Sequence, residues 1–308
     1  MPTAGGKGAA GNPTGGGGVD VSPGGGGEPT TDGGAGGAPP VVTDQCPTDP
    51  AKTAPGVCGC GFPEADTAEL GSCKVLKQAL VHRYDFEGTG TAVMDRAGTA
   101  HGVVIGAATL SQVNGKGALV LSGGATGPYV DLPNGILSAL TSATLEAWVT
   151  WGGGGAWQRI FDFGDSTSPT PEDNPALGKS YLFLTPQTTS GSGGLMRAMY
   201  SLNDGTSATE TRADGTMALG QTLTQLVVVV DAVAGKLLLY VDGAKTGEQT
   251  FAGSLASIND VNAWLGRSQY DADPELTGTF HDFRIYSSAL PSLQIATAFA
   301  GGPDPGFL

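Results

Sequence analysis

Short apolar and alternating runs, separated by Gly, Asn, Asp and Pro, begin near residue 78 and recur until about residue 286. Runs of that length and spacing predict an antiparallel β-sandwich. Strands are predicted at 80–86, 102–110, 117–121, 129–132, 144–151, 159–163, 180–184, 195–200, 223–230, 236–241, 263–266 and 279–286. One short helix is predicted at 290–299, where Leu290, Leu293, Ile295 and Phe299 could cover an end of the sandwich. Residues 226–230 form a continuous apolar run that turns through 231–235 into 236–241, so both strands are expected to be covered on two sides. The Asp242-Gly243 pair that follows suits a tight turn with positive φ, and four glycines, 152–155, join the strand ending at Trp151 to the next one near Trp157.

The pattern stops upstream. Residues 1–44 hold 16 Gly and 6 Pro with almost no large apolar side chain, too little surface to offset the entropy of ordering, and read as a disordered spacer. No strand precedes these glycines and no helix follows them, which sets aside a phosphate-binding loop. Residues 45–77 contain all four cysteines, Cys46, Cys58, Cys60 and Cys73. An even, clustered set in a short loop-rich segment is the pattern of a disulfide staple. Zinc is the rival reading, although the spacing lacks paired Cys-x-x-Cys knuckles; free thiols are the third. The domain division expected is therefore spacer 1–44, stapled linker 45–77, sandwich 78–302 and tail 303–308.

The stretch from Cys46 through Val57-Cys58-Gly-Cys60 resembles the opening of bacterial thrombospondin type 3-like repeats, which are extracellular. The aspartate run that binds calcium in those repeats is largely missing here, so the resemblance carries the staple and not the metal. An oxidised window implies export, to the extracellular space or a bacterial cell surface, although the residues after Met1 have neither the basic nor the apolar segment of a secretion signal.

Charge narrows the partners. Lys and Arg number 15 against 29 Asp and Glu, a net charge of −14, which makes the chain a poor ligand for nucleic acid or an anionic membrane. No apolar run approaches the length needed to insert in a bilayer.

Eight segments in order are similar to the laminin G-like domains of the concanavalin A-like lectin/glucanase jelly rolls: Tyr84-Asp-Phe-Glu87, Gly117-Ala-Leu-Val-Leu121, Tyr129-Val-Asp-Leu132, Thr144-Leu-Glu-Ala-Trp-Val149, Arg159-Ile-Phe-Asp-Phe-Gly164, Leu238-Leu-Tyr-Val-Asp-Gly243, Leu265-Gly-Arg-Ser268 and Phe283-Arg-Ile-Tyr286. The resemblance implies an all-β, two-sheet jelly roll over about 80–300, with Trp148 in the sandwich interior. Catalysis is not expected. The Glu-x-Asp-x-x-Glu strand of the related retaining glucanases is absent. Gly164-Asp165-Ser166 lacks the glycines of a protease oxyanion site, and His82, His101 and His281 sit in no partner motif.

Binding is the better expectation, for carbohydrate or a surface protein, on polar loops at 165–179, 203–216 and 267–276. Asp165, Tyr270, Asp271 and Asp273 are the candidate ligand residues, with Tyr270 the aromatic that could stack on a sugar. Calcium, which takes oxygen ligands, could be held at that rim by Asp165 with Asp271 and Asp273, or structurally by Asp95 and Asp282 if the first and last strands lie side by side. The alternatives are a structural spacer or adhesive domain without a discrete site and, third, a glycoside hydrolase with an unfamiliar carboxylate pair.

Overall fold

A computed structural model describes residues 44, 47, 72–190, 194–202, 210–215 and 218–308. The predicted spacer, except Asp44, and Cys46, Cys58 and Cys60 lie outside the described residues. The described chain opens with helix α1 (Ser72–Ala79) and continues through β1 (Leu80–Tyr84), β2 (Ala92–Val93), β3 (Gly102–Ile105), β4 (Leu110–Val113), β5 (Lys116–Gly124), β6 (Tyr129–Leu132), β7 (Ala143–Trp151) and β8 (Phe161–Ser166). Then come β9 (Gly178–Thr185), β10 (Arg197–Ser201), β11 (Thr211–Asp214), β12 (Leu223–Asp231), β13 (Lys236–Val241), β14 (Ala244–Thr250), β15 (Asn262–Leu265), β16 (Glu275–Tyr286) and helix α2 (Ser292–Gly301).

Two antiparallel sheets result. The first runs β14-β13-β12-β7-β16-β5-β4, with β1 on the second half of β16 beside β5; the other runs β11-β10-β9-β8-β15-β6-β3-β2. Their facing sides bury one core. Leu145, Ala147, Val149 and Trp151 of β7 point into it, as do Phe161 and Phe163 of β8 and Phe280, Phe283 and Ile285 of β16.

The first sheet is also covered on its outer side. Val227 and Val229 of β12, Tyr240 of β13 and Tyr286 of β16 are buried there against Cys73 and Leu76 of α1, Ile295 and Ala298 of α2, and Phe307. That second cover explains the continuous apolar run, since alternate valines of 226–230 face opposite cores. Asp242 and Gly243 turn β13 into β14 with φ of 47° and 76°, as their sequence predicts.

The structure differs from the sequence reading in five places. The predicted strand 102–110 is two strands in different sheets, because Gly106 bends the chain between them at φ 91°. Strands β11 and β14 carry few apolar residues and exist through pairing with β10 and β13. Residues 72–77, expected in a linker, form part of α1; Cys73 within it is 1 % exposed and disulfide-bonded. The expected tail docks, with Arg83 Nη1 donating to Leu308 O at 3.2 Å and Arg284 Nη2 to Pro303 O at 2.9 Å.

Trp148 is the fifth. Alternation along β7 sends it outward, onto the side covered by α2, and not into the sandwich interior: Trp151 is the tryptophan of β7 that faces the core.

Candidate functional site

The outer side of the second sheet carries a row of residues in direct register: Val103, Asp131, Trp264, Asp162, Phe183, Met199 and Arg212, from β3, β6, β15, β8, β9, β10 and β11. Register partners point to the same side of a sheet. The β9–β11 end of this row forms the floor of an open cavity of about 390 Å³. Tyr181, two residues before Phe183 on β9, lies beside it, the rings 5.2 Å apart and stacked.

Arg159, just before β8, is 1 % exposed, and its guanidinium lies 3.9 Å from the centre of the Phe183 ring. A cation at that distance over a ring face is attracted by the π-system. Its Nε faces Asp162 Oδ2 at 3.2 Å and its Nη2 donates to Asp273 Oδ2 at 2.8 Å. A third N–H goes to the carbonyl of Trp157. Trp157 forms one lip of the cavity and sits at φ 65°, a left-handed conformation that bulky residues rarely adopt. Its backbone is held there by a 2.8 Å bond from its N–H to Gln187 O.

Tyr270 forms a second lip, its ring centre, like that of Trp157, 5.9 Å from the Arg159 guanidinium. Its hydroxyl donates to Tyr181 Oη at 3.1 Å, and Tyr181 donates in turn to Glu210 Oε1 at 2.9 Å. Burial raises both phenols above the ordinary tyrosine range. A glycine makes room for Tyr270: a Cβ on Gly178 would fall 2.4 Å from its ring. Glu210 also pairs with Arg212, and Arg197 grips Asp214 through two nitrogens, Nη2 at 2.8 Å. Burial pushes Asp162 up to about 7, against the pull of Arg159, and raises Asp273 as well.

Of the four residues expected to bind ligand, two line this cavity, Tyr270 and Asp273. Asp271 is exposed beside them and its N–H bonds Ala176 O. Asp165 is elsewhere. Alternation along β8 puts it opposite Asp162, 3 % exposed, where it accepts from Ser180 N, Ser180 Oγ and Asn259 Nδ2. The rim joining Asp165 to Asp271 and Asp273 is therefore not formed.

The first and last strands of the sandwich do lie side by side, since β1 pairs with β16, and Asp95, just after β2, bridges Tyr84 at the end of β1. Each carboxylate is already engaged. Asp95 accepts from the backbone N–H groups of Arg83, Ala97, Gly98 and Ala100 and bonds His82 Nδ1 at 2.8 Å, which together hold it below the usual carboxylate range despite burial. Asp282 lies between Arg83 Nε at 2.9 Å and Arg284 Nε at 2.7 Å. Among the described residues no group of three or more His, Cys, Asp or Glu is arranged to hold a metal ion.

The sequence reading missed Trp157, Arg159, Tyr181, Phe183 and the cluster around Arg212. The signal was present in Tyr181-Leu-Phe183-Leu, where the leucines alternate with aromatics that have to face away from the core.

A two-sheet sandwich covered on one outer side and bearing an aromatic, charge-paired cavity on the other defines a jelly-roll domain with a surface site. The chain belongs to the concanavalin A-like lectin/glucanases superfamily: the laminin G family model of that description matches residues 123–296. No curated protein matches the sequence. Among solved structures it is similar to domain 4 of AbnA, a GH43 extracellular arabinanase from Geobacillus stearothermophilus, in complex with arabinotriose (20 % identity, TM-score 0.54, covering 72 % of this chain and 98 % of that one). It is also similar to the binding domain of botulinum neurotoxin DC in complex with rat synaptotagmin II (13 %, 0.52, 72 % and 52 %) and to Trypanosoma rangeli sialidase (16 %, 0.52, 74 % and 34 %). The chain spans about half of the toxin domain and a third of the sialidase, and at these identities the likeness is one of fold.

Proposed function

We propose that this protein is a non-catalytic, extracellular carbohydrate-binding module whose site is the cavity between Trp157 and Tyr270. One observation carries the reading: two half-buried aromatics, Trp157 and Tyr270, pack on a floor of Tyr181, Phe183 and Met199 that is ringed by fixed polar groups, the combination that accepts the apolar face and the hydroxyl edge of a sugar ring. The carboxylates at the cavity, Glu210 and Asp273, are each held by an arginine and by a hydroxyl, Tyr181 and Ser268 respectively, so they act as fixed acceptors. An arabinotriose complex of one fold relative and an extracellular parent for the same domain support the ligand class and location.

Calorimetric titration of the full chain with an oligosaccharide panel that includes arabinotriose tests the reading. Binding by at least one oligosaccharide is expected, weakened about tenfold or more by Trp157→Ala and by Tyr270→Ala, since stacking contacts of this kind contribute on the order of 1–2 kcal/mol each. Prolonged incubation is expected to generate no new reducing ends. Absence of binding across the panel, or binding unaffected by both substitutions, overturns the assignment.

A further inference from the structure

Three arginines at one cavity suggest an anionic ligand, yet each guanidinium is engaged by the protein's own carboxylates. Arg159 meets Asp162 and Asp273, Arg197 meets Asp214, and Arg212 meets Glu210. Four acids thus stand against three bases. If buried Asp162, pushed up to about 7, is counted as neutral, the balance is three against three and no positive charge is left over. An acidic sugar entering here has to share an arginine with a carboxylate already bound to it, and like charges brought together in a recessed site cost several kcal/mol.

The rest of this sheet face adds to the repulsion. The same register row reaches Asp131 on β6, which lines a second cavity of about 310 Å³ with Glu172 and Asp173. Burial, with Asp173 nearby, pushes Asp131 up to about 6. The chain as a whole carries a net charge of −14. A long-range field of that sign slows the approach of any anion.

From these pairings we infer that the cavity is selective for uncharged saccharides, its arginines serving as neutralised hydrogen-bond donors and not as carboxylate or sulfate receptors. The inference rests on the carbohydrate reading of this same cavity. Glu210 is its specificity-determining residue, because it neutralises Arg212 at the cavity mouth and fixes the Tyr181 and Tyr270 hydroxyls through one carboxylate.

Matched probes separate this from the reading beneath it. The full chain is titrated with lactose against 3′-sialyllactose, galactotriose against trigalacturonate, and arabinotriose as a further neutral sugar. Neutral members are expected to bind about tenfold or more tighter than their carboxylated partners. Their affinity should not change between about 50 and about 500 mM NaCl, whereas attraction to a net positive site would be screened over that range. Glu210→Gln, which keeps the shape and removes the charge, is expected to narrow the neutral-to-acidic ratio at least severalfold.

Tighter binding of the carboxylated members, with affinity falling as salt rises, overturns the selectivity while leaving the carbohydrate reading intact. So does a ratio that Glu210→Gln leaves unchanged in a variant of unaltered melting temperature. Binding of no saccharide, neutral or acidic, overturns both.

Discussion

Trp148 and Phe299 lie ring over ring, with centroids 6.0 Å apart and planes 5° from parallel, and so clamp helix α2 to the outer side of β7. The indole N–H completes the arrangement by donating to Glu146 Oε1 at 2.8 Å. Trp148 is 4 % exposed, whereas Phe299 is 39 % exposed. Trp148→Ala is therefore expected to cost on the order of 3 kcal/mol in a denaturant titration, and Phe299→Ala about 1 kcal/mol or less. Equal costs would mean that Trp148 contributes nothing beyond the stacked contact it shares with Phe299.

Glu146 is the hub beneath that clamp. Its carboxylate accepts from Trp148, Gln225 and Arg284 through one oxygen and from Tyr286 through the other. Arg284 is fully buried and also holds the carbonyls of Gly302 and Pro303. Glu146→Ala leaves these donors without their acceptor, and a loss of about 3–5 kcal/mol is expected. Faster proteolysis of the C-terminal segment should accompany it.

Gly178→Ala tests how Tyr270 is seated. The new methyl would meet the ring at 2.4 Å, too close for both to stay, so the ring has to move out of its bond with Tyr181. Saccharide affinity is expected to fall about as far as in Tyr270→Ala, within threefold. Unchanged affinity with an intact melting temperature would show that the lip tolerates another position.

Glu275 and Asp131 contribute to a pH dependence, in the same direction as the buried Asp162 and Asp282. Burial pushes Glu275 up to about 7, with Arg267 only partly offsetting it, and Asp131 up to about 6. Both values exceed those of an unfolded chain, near 4. Between about pH 4 and pH 7 the folded protein consequently binds more protons than the unfolded one, and stability falls as pH rises through that window. His281, lowered by burial, works in the opposite direction as a single group. The melting temperature is expected to be higher at about pH 5.5 than at about pH 8, with a smaller difference in Glu275→Gln.

Millimolar calcium is expected to move the melting temperature by less than about 1 °C, because Asp95 and Asp282 already hold N–H donors and guanidinium groups. A rise of several degrees that Asp95→Asn abolishes would show that this carboxylate exchanges its protein donors for the ion.

Much of the sandwich was legible because its strands announce themselves: every predicted segment except 102–110, eleven in all, falls within a few residues of one strand, and of these 129–132 and 236–241 coincide with β6 and β13. The polar edge strand β14 was not, since Ala-Lys-Thr-Gly-Glu-Gln-Thr contains no apolar period and is a strand only because β13 pairs with it. The site was half legible. Tyr270 and Asp273 stand out in a polar loop, but Arg159, Phe183 and Arg212 meet only through register across four strands, and spacing within one strand carries no record of its neighbours. Trp148 was misplaced for a related reason: alternation separates it from Trp151 without saying which of the two faces the core.

The cavity is assembled from pieces of unequal sequence separation. Its floor comes from β9, β10 and β11, a consecutive meander within residues 178–214, whereas Tyr270 and Asp273 arrive on the loop that follows β15. Local pairings form before distant ones because short loops cost less entropy to close. The floor can therefore be laid down early in folding, while the second lip waits for β15 to insert between β8 and β6. Ligand affinity during refolding should then return with the slow, sandwich-closing step and not with the first gain of β structure.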